Sequence, residues 1–177
     1  MVSIRKIFKK SPHPFLHGIH RPLDREFTYE NLTVNGNIPP ELDGVYVRNG
    51  PNPVKPPSER HYHWFLGDGM VHGVKLKNGM AEWYKNRWVR SYSVSKTLGE
   101  EIILGARRQI ADAVNTNIIG FAGKLWALVE AGSSPVQLDV NLNSLRHDRF
   151  GGSLRYAFSA HPHLDPVSGE LHAICYS

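Results

Sequence analysis

Cysteine is almost missing from this chain: Cys175 stands alone among 177 residues. That excludes an internal disulfide and a cysteine-based zinc site, and it fits a reducing compartment such as the cytoplasm. No apolar run approaches the roughly 20 residues of a membrane-spanning helix. The first ten residues carry Arg5, Lys6, Lys9 and Lys10 around Ile4, Ile7 and Phe8, without the apolar core of a secretory signal. They read as a frayed basic terminus or as a short amphipathic foot on an anionic membrane surface, and Pro12 and Pro14 cut them short of a useful helix. Basic residues are scattered rather than massed, so a net charge of +5 gives no support to a nucleic-acid partner. A convincing helical period is missing too. Ser95 to Arg108 is the nearest candidate for a short helix or an irregular crossover.

What the chain does have is β grammar. Hydrophobic residues make up 41% and charged residues 21%, enough apolar material for one folded domain with a core. Residues 1–38 hold several prolines and few apolar runs, so they read as an extended lead-in to a domain at 39–177. Val45-Tyr46-Val47 forms a strand core, stopped by Asn49-Gly50-Pro51. Val71 to Leu76 and Met80 to Val89 flank Lys77-Asn78-Gly79, and Asn-Gly is a strong hairpin signal. Ile118-Ile119-Gly120-Phe121 passes through Ala122-Gly123 into Leu125 to Val129, and Val136 to Val140 follows a Gly-Ser-Ser-Pro turn. Tyr156 to Ala160 and Leu171 to Tyr176 flank a last turn at 165–170. The fold class is therefore all-β. Antiparallel meanders of this kind build a sandwich, a barrel or propeller blades, and the pattern alone does not choose.

Ten histidines offer metal ligands. His61 and His63 alternate as on one strand face, where they could chelate a metal or line a polar strand edge. His72 sits in Gly67-Asp68-Gly69-Met70-Val71-His72-Gly73, whose glycines allow a tight turn or close strand packing. His161 precedes Pro162, which restricts it to an extended backbone and fixes the direction of the imidazole. On residue type alone His161 could be a ligand or a buried, hydrogen-bonded histidine before a turn. Glu130 closes an apolar strand, where a charge is costly unless paired. It could equally be a solvated strand end.

Three segments read together change the balance: Arg48-Asn49-Gly50-Pro51-Asn52-Pro53, the Gly-Asp-Gly-Met-Val-His-Gly run, and Ala160-His161-Pro162. In this order they resemble the N-terminal part of a carotenoid cleavage oxygenase, over roughly residues 38 to 177. The resemblance implies a seven-bladed β-propeller, of which this chain supplies the first blades. It implies a non-haem Fe(2+) dioxygenase that cleaves a conjugated double bond of a carotenoid or apocarotenoid with O2, giving two carbonyl products. Stilbene cleavage of the lignostilbene type is the alternative within the same chemistry. The match makes His161, and not the nearby His163, the first of four iron-binding histidines. It makes Glu130 a carboxylate that orients a later ligand histidine. His72 becomes a structural hydrogen-bonding residue. The Asn-Gly-Pro-Asn-Pro run becomes a fold marker, with Arg48 available to pin its loop. Apolar polyene substrates imply peripheral membrane contact. The remaining three ligands are expected beyond Ser177, so these 177 residues alone are expected to be poorly stable and inactive.

Two other classes stay open: a short, non-catalytic propeller acting as a binding module, and a calcium-dependent lactonase using oxygens of Asp68, Asp112, Asn115 and Asn117.

Overall fold

The structure is a computed structural model and describes residues 13–107, 112–130, 132–155 and 157–175. The basic first ten residues, with both readings attached to them, lie outside it. Two four-stranded antiparallel sheets stand side by side; the second is a meander, and in the first the β2-β3-β4 meander takes β1 on its far edge beside β4. In the first, strands β1 (Phe27–Glu30), β2 (Gly44–Pro51), β3 (Gly69–Lys77) and β4 (Met80–Trp88) lie in the order β1-β4-β3-β2. In the second, β5 (Asn117–Phe121), β6 (Lys124–Leu128), β7 (Val136–Leu138) and β8 (Ser144–His147) lie in chain order. A two-stranded hairpin, β9 (His163–Leu164) with β10 (Leu171–His172), begins a third unit.

Local chemistry explains the hairpins. Asn78 and Gly79 both take positive φ, +50° and +74°, as a two-residue type I′ turn requires. Ala122 and Gly123 repeat the geometry between β5 and β6, at +50° and +71°. Gly69 and Gly73 have no positive φ and serve close packing instead. A Cβ on Gly69 would stand 1.8 Å from the Val114 carbonyl oxygen, and one on Gly73 would stand 2.9 Å from Leu142 Cδ1.

Between the two sheets lies the main core, Val71, Val89, Val114, Ala127, Val136, Leu138 and Leu142, all buried. β2 and β5 are the neighbouring edges of the two sheets. A second cluster, Trp126, Leu128, Phe158 and Ala160, joins the far face of the second sheet to the segment that leads into β9.

Several expectations need correction. β2 runs straight through Asn49-Gly50-Pro51, with Gly50 opposite Met70 and Pro51 opposite Gly69. The run is extended ladder, because the ladder to β3 outweighs its turn propensity. A short helix does form near Ser95, but residues 99–107 are irregular and Arg108 lies outside the described residues; the helix α1 spans Tyr92–Leu98. The Ser91 hydroxyl caps it by accepting from Val94 N, and Gly99 ends it in the left-handed region at φ +71°. No strand forms over residues 157–160, which are held by packing and side-chain hydrogen bonds, while the last hairpin begins only at His163. β1 and β8 were not foreseen.

The lead-in is stitched to the first sheet. Asn52 pairs with Leu23 like a strand neighbour: its Oδ1 accepts from Leu23 N at 2.7 Å and its Nδ2 donates to Leu23 O at 2.9 Å. Glu26 accepts from Trp88 N at 2.8 Å and forms an ion pair with Arg90, which also holds Glu100. Phe27–Glu30 then pairs with β4, Phe27 opposite Asn86.

Candidate metal centre

Where the second sheet meets the third unit, side chains from the start of β5 and from just past the end of β6 converge on the segment Ser159-Ala160-His161. Ser159 and Ala160 are buried under Trp126 and Leu128. The His161 side chain, one position on, is 70% exposed. Glu130 lies just past the end of β6, and its Oε1 accepts from Ala160 N at 2.9 Å and from Ser159 Oγ at 3.2 Å. The same oxygen is 3.7 Å from His161 Nε2. Ser159 Oγ in turn accepts from His161 N at 3.1 Å. From the start of β5, Asn117 Nδ2 donates to Ala160 O at 2.8 Å. Both polar groups of the Ala160 backbone are thus held by side chains, while the imidazole beyond it is open. At 3.7 Å the carboxylate stands beside the ring but beyond hydrogen-bond reach, so here it does not fix the imidazole's tautomer.

The sequence-derived residues divide sharply here. His161 and Glu130 come together, although the resemblance assigns Glu130 to a histidine further along. His163 is two positions away, exposed and laddered opposite His172. His61 and His63 are on no strand: they lie in a turn and at the start of a 3-10 helix, where His63 Nδ1 accepts from Phe65 N. Among the described residues no group of three or more His, Cys, Asp and Glu side chains is placed to hold a metal.

The residues considered for calcium are engaged elsewhere, three of them through an oxygen that accepts from backbone and Asn115 through an oxygen that accepts from the Thr116 hydroxyl at 3.1 Å. Asp68 accepts from Val54 N and Asp112 from Tyr92 N, while Asn115 donates to Phe65 O and Gly67 O. Burial pushes the Asp68 carboxyl up, opposed by the Val54 N–H. Asn117 is committed to Ala160 and to Ile118 N.

His72 bonds through Nδ1 to the Tyr84 hydroxyl at 2.8 Å, and burial together with the nearby Arg48 guanidinium pushes its pKa down to about 4. It is a neutral structural histidine at working pH. His147 is buried between Ser133 Oγ (2.9 Å, to Nδ1) and Arg90 O (3.1 Å, to Nε2). A carbonyl only accepts, so Nε2 carries the proton, and burial lowers the pKa. Nothing in its sequence surroundings marks that role. Arg48 is exposed and makes no hydrogen bond or ion pair among the described residues, so it does not pin the loop. It lines a cavity of about 860 Å³ with His72, Tyr84, Tyr46 and Trp64, which neither His161 nor Glu130 reaches. Asn49 does the tying instead: its Nδ2 donates to Val114 O at 3.1 Å and Asn117 O at 3.2 Å, joining the two sheets.

Comparison with known proteins agrees with this architecture. The family model described as retinal pigment epithelial membrane protein matches residues 20–177. A carotenoid cleavage oxygenase from Mycobacterium tuberculosis is 46% identical over 95% of this chain and 34% of its own length. A resveratrol cleavage oxygenase from Aspergillus fumigatus is 35% identical over 92% of this chain and 34% of its own. Among solved structures, the lignostilbene dioxygenase of Pseudomonas brassicacearum superposes over 92% of this chain and 36% of its own with a TM-score of 0.79 at 28% identity. The Synechocystis apocarotenoid oxygenase reaches 0.66 over 84% of this chain and 35% of its own, at 29% identity. The chain belongs to the retinal pigment epithelial membrane protein and carotenoid cleavage oxygenase family. It spans about a third of the length of the relatives it matches.

Proposed function

We propose that this chain is the N-terminal part of a non-haem iron dioxygenase that cleaves a conjugated carbon–carbon double bond with O2 to give two carbonyl products. The carrying observation is the His161 site: an open imidazole on a segment whose preceding residue is fixed on both sides. Neutral imidazole is a suitable donor for Fe(2+), and one imidazole needs partners, which this reading takes from the rest of the protein. Iron bound by such ligands supplies a place for O2 beside the alkene. The chain's own contribution is positional. Glu130 and Asn117 hold the Ala160 backbone, Pro162 restricts the His161 backbone, and the Glu130 carboxylate offsets positive charge beside the ring. The two four-stranded sheets are read as the first blades of a seven-bladed propeller, with residues 1–38 as the lead-in and 39–177 as the partial propeller domain.

A carotenoid or apocarotenoid is the favoured substrate class, in line with the 46% identical relative. Stilbene cleavage is the second reading, and the higher TM-score to the lignostilbene dioxygenase supports it. In the full-length gene product, His161→Ala abolishes iron binding and cleavage, whereas His163→Ala keeps substantial activity. Iron content by metal analysis and products from an apocarotenoid and a stilbene decide both questions. Iron retained by His161→Ala and lost by His163→Ala overturns the assignment.

Peripheral contact with a bilayer belongs to the same reading. Ile19 and Phe65 flank the cavity beside the lead-in at 96% and 83% exposure, and no helix of the described residues is long and apolar enough to cross a membrane. Co-sedimentation of the full-length product with anionic lipid vesicles weakens several-fold in Phe65→Asp. Unchanged binding removes this face from the account.

A further inference from the structure

Asn117 is spent on a contact that neither the chemistry of the ligand nor the sheet ladder requires. It stands at the first position of β5, at the edge of the second sheet that faces β2. Its carboxamide is fixed on both atoms. Oδ1 accepts from Ile118 N at 2.8 Å, and Nδ2 donates to Ala160 O at 2.8 Å. Its own carbonyl is held by Asn49 Nδ2 at 3.2 Å. A continuous line of backbone-to-carboxamide contacts therefore runs from β2 through β5 to the peptide that enters His161. Ala160 is fully buried, and its N–H is taken by Glu130 from the other side. The geometry points to Asn117 as a positioning residue for the metal centre. By gripping the Ala160 carbonyl it sets the direction in which the His161 imidazole leaves the segment. Asn49 in turn sets the position of Asn117. This inference rests on the assignment of His161 as an iron ligand.

The physical basis is the rigidity of a peptide plane. The Ala160 carbonyl and the His161 N–H belong to one planar unit. The carbonyl end is tied by Asn117, and the N–H end is tied by Ser159 Oγ at 3.1 Å. With both ends tied the plane is held, and because Pro162 also restricts the His161 backbone to extended conformations, the His161 Cα–Cβ bond is confined to a narrow range of directions before any metal arrives. Loss of the Asn117 donor frees one end and leaves a buried carbonyl without its partner. Groups that hydrogen-bond a metal ligand directly typically account for 10- to 100-fold in metal affinity, and Asn117, acting one residue away, is expected at the low end of that range.

The test uses the full-length gene product loaded with iron(II). It follows release of the metal to a chromogenic chelator, with the melting temperature of the metal-free protein measured in parallel. Asn117→Asp keeps the Oδ1 that accepts from Ile118 N and removes the donor to Ala160. Asn117→Ser keeps a small polar group that falls short of Ala160. Asn52→Ala, which removes the Leu23 clip and touches none of Asn117, Glu130, Ser159 and Ala160, reports a purely structural loss. Both Asn117 variants are expected to release iron roughly tenfold faster than the parent, while Asn52→Ala lowers the melting temperature and leaves the release rate unchanged. The visible spectrum of the cobalt(II)-loaded protein is expected to shift in the Asn117 variants and not in Asn52→Ala. If His161→Ala still holds iron, the underlying ligand assignment fails. If His161→Ala loses iron while both Asn117 variants release it at the parental rate, the positioning role is overturned. It is equally overturned if Asn52→Ala accelerates release as much as they do. Should Asn117→Asp not fold, Asn117→Ser decides, and an unshifted cobalt spectrum in it counts against the inference.

Discussion

At the scale of single residues, two histidines hold their places by staying neutral. His72 is half-buried against Tyr84 and close to Arg48, with a pKa of about 4, and His147 is lowered in the same direction by burial. An unfolded histidine titrates near 6.5, so protonation is easier unfolded than folded. The stability His72 permits is complete above about pH 6.5 and is lost as pH falls toward about 4, and that of His147 is lost in the same direction. For His72 the loss is of order 1–2 kcal/mol once its partly open side is allowed for. Urea unfolding at pH 7.5 and pH 5 checks this: the drop in stability shrinks in His72→Gln, and an equal drop in both proteins contradicts it. His161 was legible in the sequence for a different reason. The Ala-His-Pro run and the other two segments name it together, and no pattern of burial or charge would have separated it from nine other histidines. The part Asn117 plays was not legible, because its contact lies 43 residues away in the chain and is made to a backbone carbonyl, which carries no sequence signature.

At the scale of elements, the hairpins were readable and the outer strands were not. Asn78-Gly79 and Ala122-Gly123 dictate their turns through positive φ, so β3–β4 and β5–β6 follow directly from sequence. β1 is four residues long, and what makes it a strand is distant: Asn86 Oδ1 accepts from Phe27 N, and Arg87 donates to Phe27 O and Thr28 Oγ1. β8 is short and polar, with the alternation of Ser144-Leu145-Arg146-His147 hiding a buried histidine. The apolar 157–160 stretch misled in the other direction, because its burial comes from packing under the second sheet and not from a ladder. Gly69 tests how the two sheets meet. At this first position of β3 a methyl group would collide with the Val114 backbone, which cannot rotate away. Gly69→Ala is expected to cost more than about 3 kcal/mol or prevent folding, whereas Gly44→Ala, with open space around it, stays within about 1 kcal/mol. Chemical denaturation of the two variants compares them directly, and equal stability would mean the sheets do not approach as described.

At the scale of the whole molecule, two four-stranded sheets share one apolar core and lead into a third unit, with the candidate ligand His161 just before its first strand. The order of segments in the sequence mirrors that arrangement. The Asn-Gly-Pro-Asn-Pro run builds the β2 edge and the lead-in clip, the Gly-Asp-Gly run builds the close sheet contact, and the Ala-His-Pro run sits where Asn117 and Glu130 reach across. Family membership was therefore legible early, while the number of blades is not visible from a chain that spans about a third of its relatives. The central claim is that His161 is an iron ligand, and iron stoichiometry of the full-length gene product tests it most directly. The account predicts about one iron per protein in the parent, near that value in His163→Ala, and almost none in His161→Ala with the protein still folded. A folded His161→Ala protein that holds iron as the parent does would contradict it.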